Sequence, residues 1–154
     1  MPIITGSQVS QRNRPCGGDT DGGVFFFRSI DSILWPVLHY QSGVTFSDEP
    51  WEAYKKVNGI FADAIANAAG QGDLIWVHDY HLMLLPQMLR EKMVKQGKRA
   101  AIGFSLHTPF PAPEALRALP VAKEILEAML ASTLIGFHTE DYRLNFVASC
   151  EQEL

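Results

Sequence analysis

Cysteine is almost missing from this chain: the 154 residues hold two, Cys16 and Cys150, at a separation that matches no metal-binding spacing. A disulfide scaffold and a zinc module are therefore poor readings, and a reduced, cytoplasmic chain is the expectation. Basic blocks are lacking as well. Thirteen Lys and Arg against seventeen Asp and Glu leave a net charge of −4 with no basic run, which argues against an extended nucleic-acid surface. No stretch approaches the roughly 18 apolar residues of a membrane span. Met1 to Arg14 also lacks the apolar centre of a secretory signal. What remains is a chain with 47% hydrophobic residues, long enough to bury one core and too short for two ordinary domains.

The apolar residues are distributed unevenly. Residues 1–23 are rich in Gly, Ser, Asn, Gln and Asp and close on Cys16-Gly17-Gly18-Asp19-Thr20-Asp21-Gly22-Gly23, so they offer little apolar area to offset ordering entropy and read as a disordered tail. Residues 24–154 read as a partial Rossmann-like domain. Ile33 to Tyr40 suggests a packed loop or short helix. Ser47 or Asp48 can cap a helix with Trp51, Tyr54, Val57, Phe61 and Ile65 at helical spacing, ended by Gly70 and Gly72.

Three short apolar runs then follow, each closing on polar residues: Leu74-Ile75-Trp76-Val77 before His78-Asp79-Tyr80-His81, Ala101-Ile102-Gly103-Phe104 before Ser105-Leu106-His107-Thr108, and Leu134-Ile135-Gly136-Phe137 before His138-Thr139. Runs of this length separated by helical stretches read as buried strands of a parallel sheet. The intervening helices are expected over Tyr80–Val94, with Pro86 near its start or kinking it, and over 112–131 in two pieces broken near Pro120. A last helix is capped by Thr139 and opens with Glu140-Asp141. The order β-α-β-α-β-α predicts an α/β fold with a doubly wound parallel sheet.

In such sheets ligands bind outside the carboxyl ends of the strands, where His78, Asp79, His107, His138 and Thr139 would gather. Asp79 can accept hydrogen bonds from sugar hydroxyls or, as an N-cap, from its own helix. Pro109 and Pro111 stiffen the loop after His107, leaving that side chain little entropy to lose on meeting a ligand. Trp35 and Tyr40 offer aromatic surface to the C–H faces of a sugar ring, or to a core. His78 and His81 stand three apart, but the first ends a strand and neither has a cysteine nearby, so no metal is expected. Arg90, Arg117 and Arg143 read as solvated helix residues.

These residues together resemble a known family. The run Trp51–Tyr54, Val57-Asn58, Phe61-Ala62, Ile75 to Leu82, Leu85-Pro86, Leu89-Arg90, Ile102-Gly103-Phe104, Leu106-His107, Pro109-Phe110-Pro111, Glu114, Leu119-Pro120, Glu124-Ile125-Leu126, Leu134 to Thr139 and Asp141-Tyr142 is similar to the amino-terminal part of the α,α-trehalose-phosphate synthases, from about Ile33 to Leu154. The resemblance implies a retaining glycosyltransferase of two-lobed GT-B architecture. Its members move glucose from UDP-glucose to glucose 6-phosphate, releasing UDP and trehalose 6-phosphate, and use no cofactor or metal.

Residue by residue, the resemblance places Asp79 on the sugar hydroxyls of the acceptor pocket, His107 beside the donor glucose and Trp35 in the acceptor lining. Phe26 stands where the family has a tyrosine whose hydroxyl reaches the acceptor phosphate, so that hydrogen bond is lost. Ala122 and Thr133 replace an arginine and an aspartate usual in the family. The family's diphosphate-binding arginine and lysine belong to a carboxyl-terminal nucleotide-binding lobe that this sequence does not contain. The expectation is a piece of the enzyme inactive alone. A second reading is a non-catalytic binding or regulatory piece that associates with subunits of a trehalose-synthesis complex.

Overall fold

The computed structural model describes residues 33–40 and 46–154. The expected tail over residues 1–23 and the candidate Phe26 lie outside them. A short helix, α1, covers residues 33–38. It buries Ile33, Leu34, Val37 and Leu38 and leaves Trp35 on its outer side. The chain then runs α2 (Asp48–Ala68), β1 (Leu74–His78), a 3-10 turn (Tyr80–Leu82), α3 (Leu85–Lys95), β2 (Ala101–Ser105), α4 (Pro113–Leu116), α5 (Ala122–Leu130), β3 (Leu134–Gly136) and α6 (Glu140–Glu153).

The α/β class with a parallel sheet is what forms. The three strands lie in the order β1-β2-β3, all parallel, with Leu74 to His78 registered against Ala101 to Ser105 and Gly103 to Ser105 against Leu134 to Gly136. Strand order is thus sequential among the described residues, and the three carboxyl ends stand side by side. Ile75, Val77, Ile102 and Phe104 form the fully buried face. The other face is partly open: Leu74, Trp76 and His78 alternate with the buried residues and remain half-exposed. Trp76 spans that face, donating from its indole N–H to Ser105 Oγ at 2.9 Å. Its ring passes so close to Gly103 that a Cβ there would sit 3.0 Å from the indole carbons, which is why a side chain is missing at the centre of β2.

Several local expectations are revised by packing. On α2 the buried stripe is Trp51, Tyr54, Asn58, Ala62, Ile65 and Ala66, whereas Val57 and Phe61 are only half-buried. Small residues let α3 pack closely against α2, so alanines rather than the larger side chains face inward. Ser47 makes no side-chain cap. The helix expected from Tyr80 instead begins at Leu85, with Pro86 in its first turn where a missing N–H does no harm. Thr139 does cap α6, accepting from the Tyr142 N–H at 3.3 Å. Arg90 is no solvated bystander: it donates to the Ala131 carbonyl at 2.7 Å and to Thr133 Oγ1 at 3.2 Å. Thr133 Oγ1 also accepts from the Ile102 N–H at 3.1 Å, fastening the start of β3 to β2. Arg117 is solvent-exposed as expected, and pairs at the surface with Glu153 and Gln152 on α6.

Candidate functional site

The carboxyl ends of β1, β2 and β3 deliver His78, His107 and His138 to one place. His78 Nδ1 lies 2.9 Å from His107 Nε2, and His107 Nδ1 lies 3.0 Å from His138 Nε2. Both ring nitrogens of His107 are therefore occupied by histidine neighbours. The His78 and His107 rings stack with centroids 5.2 Å apart, while His138 meets His107 edge-on at the same centroid separation. Burial pushes the His78 imidazole below the usual histidine range, the His107 ring adds to that push, and Asp79 opposes it.

Asp79 occupies unusual backbone. Its φ of 68° and ψ of 169° fall in a region that glycine tolerates and residues with a Cβ adopt only under strain, of order 1–3 kcal/mol. This conformation stands between the end of β1 and the 3-10 turn. The Asp79 side chain makes no cap to the 3-10 turn that follows, although the backbone carbonyl of Asp79 accepts from the Leu82 N–H at 3.1 Å. Its carboxylate turns instead toward the end of β2, where Oδ1 accepts from the His107 backbone N–H at 3.3 Å, and its own N–H donates to the Ser105 carbonyl at 2.8 Å.

What holds this conformation lies behind it, on α2. The buried Tyr54 hydroxyl donates to the Tyr80 carbonyl at 2.7 Å and accepts from the Met83 N–H at 2.9 Å, while Asn58 Nδ2 donates to the His81 carbonyl at 3.2 Å. Burial raises the Tyr54 phenol far above its ordinary range, so it stays a neutral donor. Read along the sequence, Tyr54 was one more member of an apolar stripe. The available signal was a phenol and a carboxamide at i and i+4 on an otherwise apolar face, polar groups that burial obliges to find partners.

The loop after β2 is anchored just as firmly. Phe110 is fully buried against Phe137 and Phe146, its carbonyl accepts from Asn145 Nδ2 at 3.0 Å, and the Ala112 N–H donates to the Tyr40 hydroxyl at 2.9 Å. Trp35, 39% exposed, stacks on His39 with ring centroids 3.7 Å apart and stands 5.7 Å from the Tyr80 ring. The aromatic surface thus borders the turn that follows Asp79. The His78 Nδ1 faces His107. Among the described residues no group of three or more His, Cys, Asp or Glu side chains is arranged to hold a metal ion. Nor is any described helix long and apolar enough to cross a membrane.

A parallel α/β unit that gathers a strained carboxylate, three histidines and an aromatic side chain at the carboxyl ends of its strands defines a class by place: an α/β fold with its polar groups where such sheets bind ligands. The particular family follows from comparison. The model of glycosyltransferase family 20 matches residues 25–154, and the chain belongs to that family. It is 54% identical over 125 residues to an α,α-trehalose-phosphate synthase (UDP-forming) of Emericella nidulans, a match covering 80% of this chain and 25% of that relative. A trehalose-6-phosphate synthase structure from E. coli bound with UDP-2-fluoro glucose aligns with TM-score 0.73 and 36% identity, over 81% of this chain and 29% of that one. The amino-terminal domain of a Candida albicans trehalose-6-phosphate phosphatase aligns with TM-score 0.79 and 35% identity, over 90% of this chain and 29% of that one. The chain spans about a quarter of the length of the curated relatives it matches.

Proposed function

We propose that this chain supplies the sugar-facing rim of a UDP-forming α,α-trehalose-phosphate synthase, which transfers glucose from UDP-glucose to glucose 6-phosphate with retention. Asp79 receives sugar hydroxyls, His107 stands beside the donor glucose, and Trp35 lines the acceptor side, while Phe26, at the family's tyrosine position, supplies no hydroxyl to the acceptor phosphate. The observation that carries this reading is the Asp79 Oδ1 to His107 N–H hydrogen bond, which joins the two residues at neighbouring strand ends and fixes a carboxylate where a hydroxyl-rich ligand would meet it. In such a transfer the anomeric carbon becomes oxocarbenium-like while negative charge grows on the departing diphosphate. Preorganised oxygens and ring nitrogens around the sugar serve the first demand. The second requires cations, which the resemblance assigns to the other lobe.

The test pairs an assay with calorimetry. The 154-residue chain, given UDP-glucose and glucose 6-phosphate, is expected to show no turnover above background but weak sugar-phosphate binding that Asp79→Ala and His107→Ala both abolish. Binding unchanged in both variants would make these residues structural. The likeness to a domain of a protein named as a phosphatase favours one alternative, a binding or regulatory piece within a trehalose-synthesis complex. That reading predicts association with a full-length synthase subunit that persists in both variants.

A further inference from the structure

We propose that His78, His107 and His138 form a single proton-carrying unit, in which His78 and His138 are positioning residues that set which nitrogen of His107 bears its proton. The inference takes its location from the sugar-facing rim above but not its chemistry, since it is measured with no sugar present.

The reasoning is a proton count. Three imidazoles have six ring nitrogens, four of which face one another in the two contacts of 2.9 and 3.0 Å. Each N–H···N contact holds one proton; two would repel and none would leave facing lone pairs. With all three rings neutral, the bonds must point one way around the array. In one arrangement His138 donates to His107 and His107 to His78, leaving the outer nitrogen of His78 protonated. In the other every donor reverses, and the outer nitrogen of His138 bears the third proton. His107 thus has Nε2–H in the first and Nδ1–H in the second, and its tautomer is dictated by its neighbours. One further proton fits with both bonds intact, the two outer nitrogens and both contacts then each holding one. A second added proton fits only by breaking a contact.

Burial and the adjacent His107 ring disfavour the charge on His78, whereas the His107 and His138 side chains are exposed. The charged or titratable groups on the elements that end here are Asp79 and His81 after β1, and Glu140, Asp141 and Arg143 in the first turn of α6, where Glu140 is paired with Arg143. The consequence for a ligand is direct. Because both nitrogens of His107 are engaged, a hydroxyl that takes one of them displaces His78 or His138, and the tautomer left behind determines whether His107 offers that hydroxyl a donor or an acceptor.

The experiment is two-bond 1H–15N NMR of the whole chain labelled with 15N-histidine, titrated from about pH 8 to about pH 5. The three rings are expected to take up one proton between them, all reporting the same midpoint. His138→Ala is expected to shift both that midpoint and the Nδ1–H to Nε2–H ratio of His107, and His138→Gln, whose carboxamide can replace one bond, to restore the ratio in part. Three independent titrations taking up three protons would overturn the proposal, as would a His107 tautomer ratio indifferent to His138→Ala. Should His138→Ala fail to fold, the proton count in the unaltered chain decides alone. A one-proton array with no sugar binding would leave this inference standing and sink the glycosyl-transfer reading; three independent histidines with sugar binding would do the reverse.

Discussion

The two strand pairs of the sheet are built to different standards. The β1–β2 pair runs five residues in register, with Ile75, Val77, Ile102 and Phe104 at most 2% exposed, and α2 and α3 pack against each other beside it. The β2–β3 pair runs three residues, Leu134 is 60% exposed, and Leu144 and Val147 on the following helix are 50% and 38% exposed. The histidine array bridges the two, with His78 and His107 on the firmly packed pair and His138 beyond the thinly packed strand. The three histidines are thereby carried on strands of unequal burial.

The largest expected effect tests the packing contrast. Phe104→Ala should destabilise by about 3–5 kcal/mol, since the ring is fully enclosed, whereas Leu134→Ala should fall within about 0.5 kcal/mol. Urea midpoints for the two variants check it; comparable losses would show β3 to be as buried in solution as β2. Smaller is the effect of relieving strain at Asp79. Asp79→Gly should be more stable than Asp79→Ala by about 1–3 kcal/mol, the reverse of the usual order, because only glycine accepts φ of 68° freely. Thermal melts of both variants measure this, and an advantage for alanine would mean that the backbone relaxes out of the positive region.

The smallest effect comes from His78. Its pKa is lowered in the folded chain, so the unfolded chain binds the proton more readily and stability rises with pH. The contribution is fully present above the ordinary histidine value of about 6.5 and is lost as pH falls from there through the lowered folded value. Chemical denaturation at pH values on either side of that range, compared with His78→Gln, should show the slope diminish in the variant. An unchanged slope would assign the pH dependence to other groups.

The sheet was legible because each strand is a continuous apolar run, and the position of the site because each run closes on polar residues. Less of the site's construction could be read. Nothing in Asp79 announces a positive φ, for which glycine is the usual marker. The roles of Tyr54 and Asn58 depend on partners more than twenty residues away. The histidine array joins residues 29 and 31 positions apart through register alone. The Arg90 contacts are invisible along the sequence because Ala131 and Thr133 lie more than forty residues away. On α2, a helical period locates a stripe but not its tilt, so Ala62 and Ala66 took the inner places that Val57 and Phe61 seemed to claim.

In surveyor's terms, the Tyr54 hydroxyl makes α2 the benchmark from which Asp79 is levelled. His107 is levelled from a different benchmark, the wedge of Phe110 and Asn145 set against α6. The bond between Asp79 and the His107 amide is where the two traverses close, so its length is a gauge of how these two helices stand to one another.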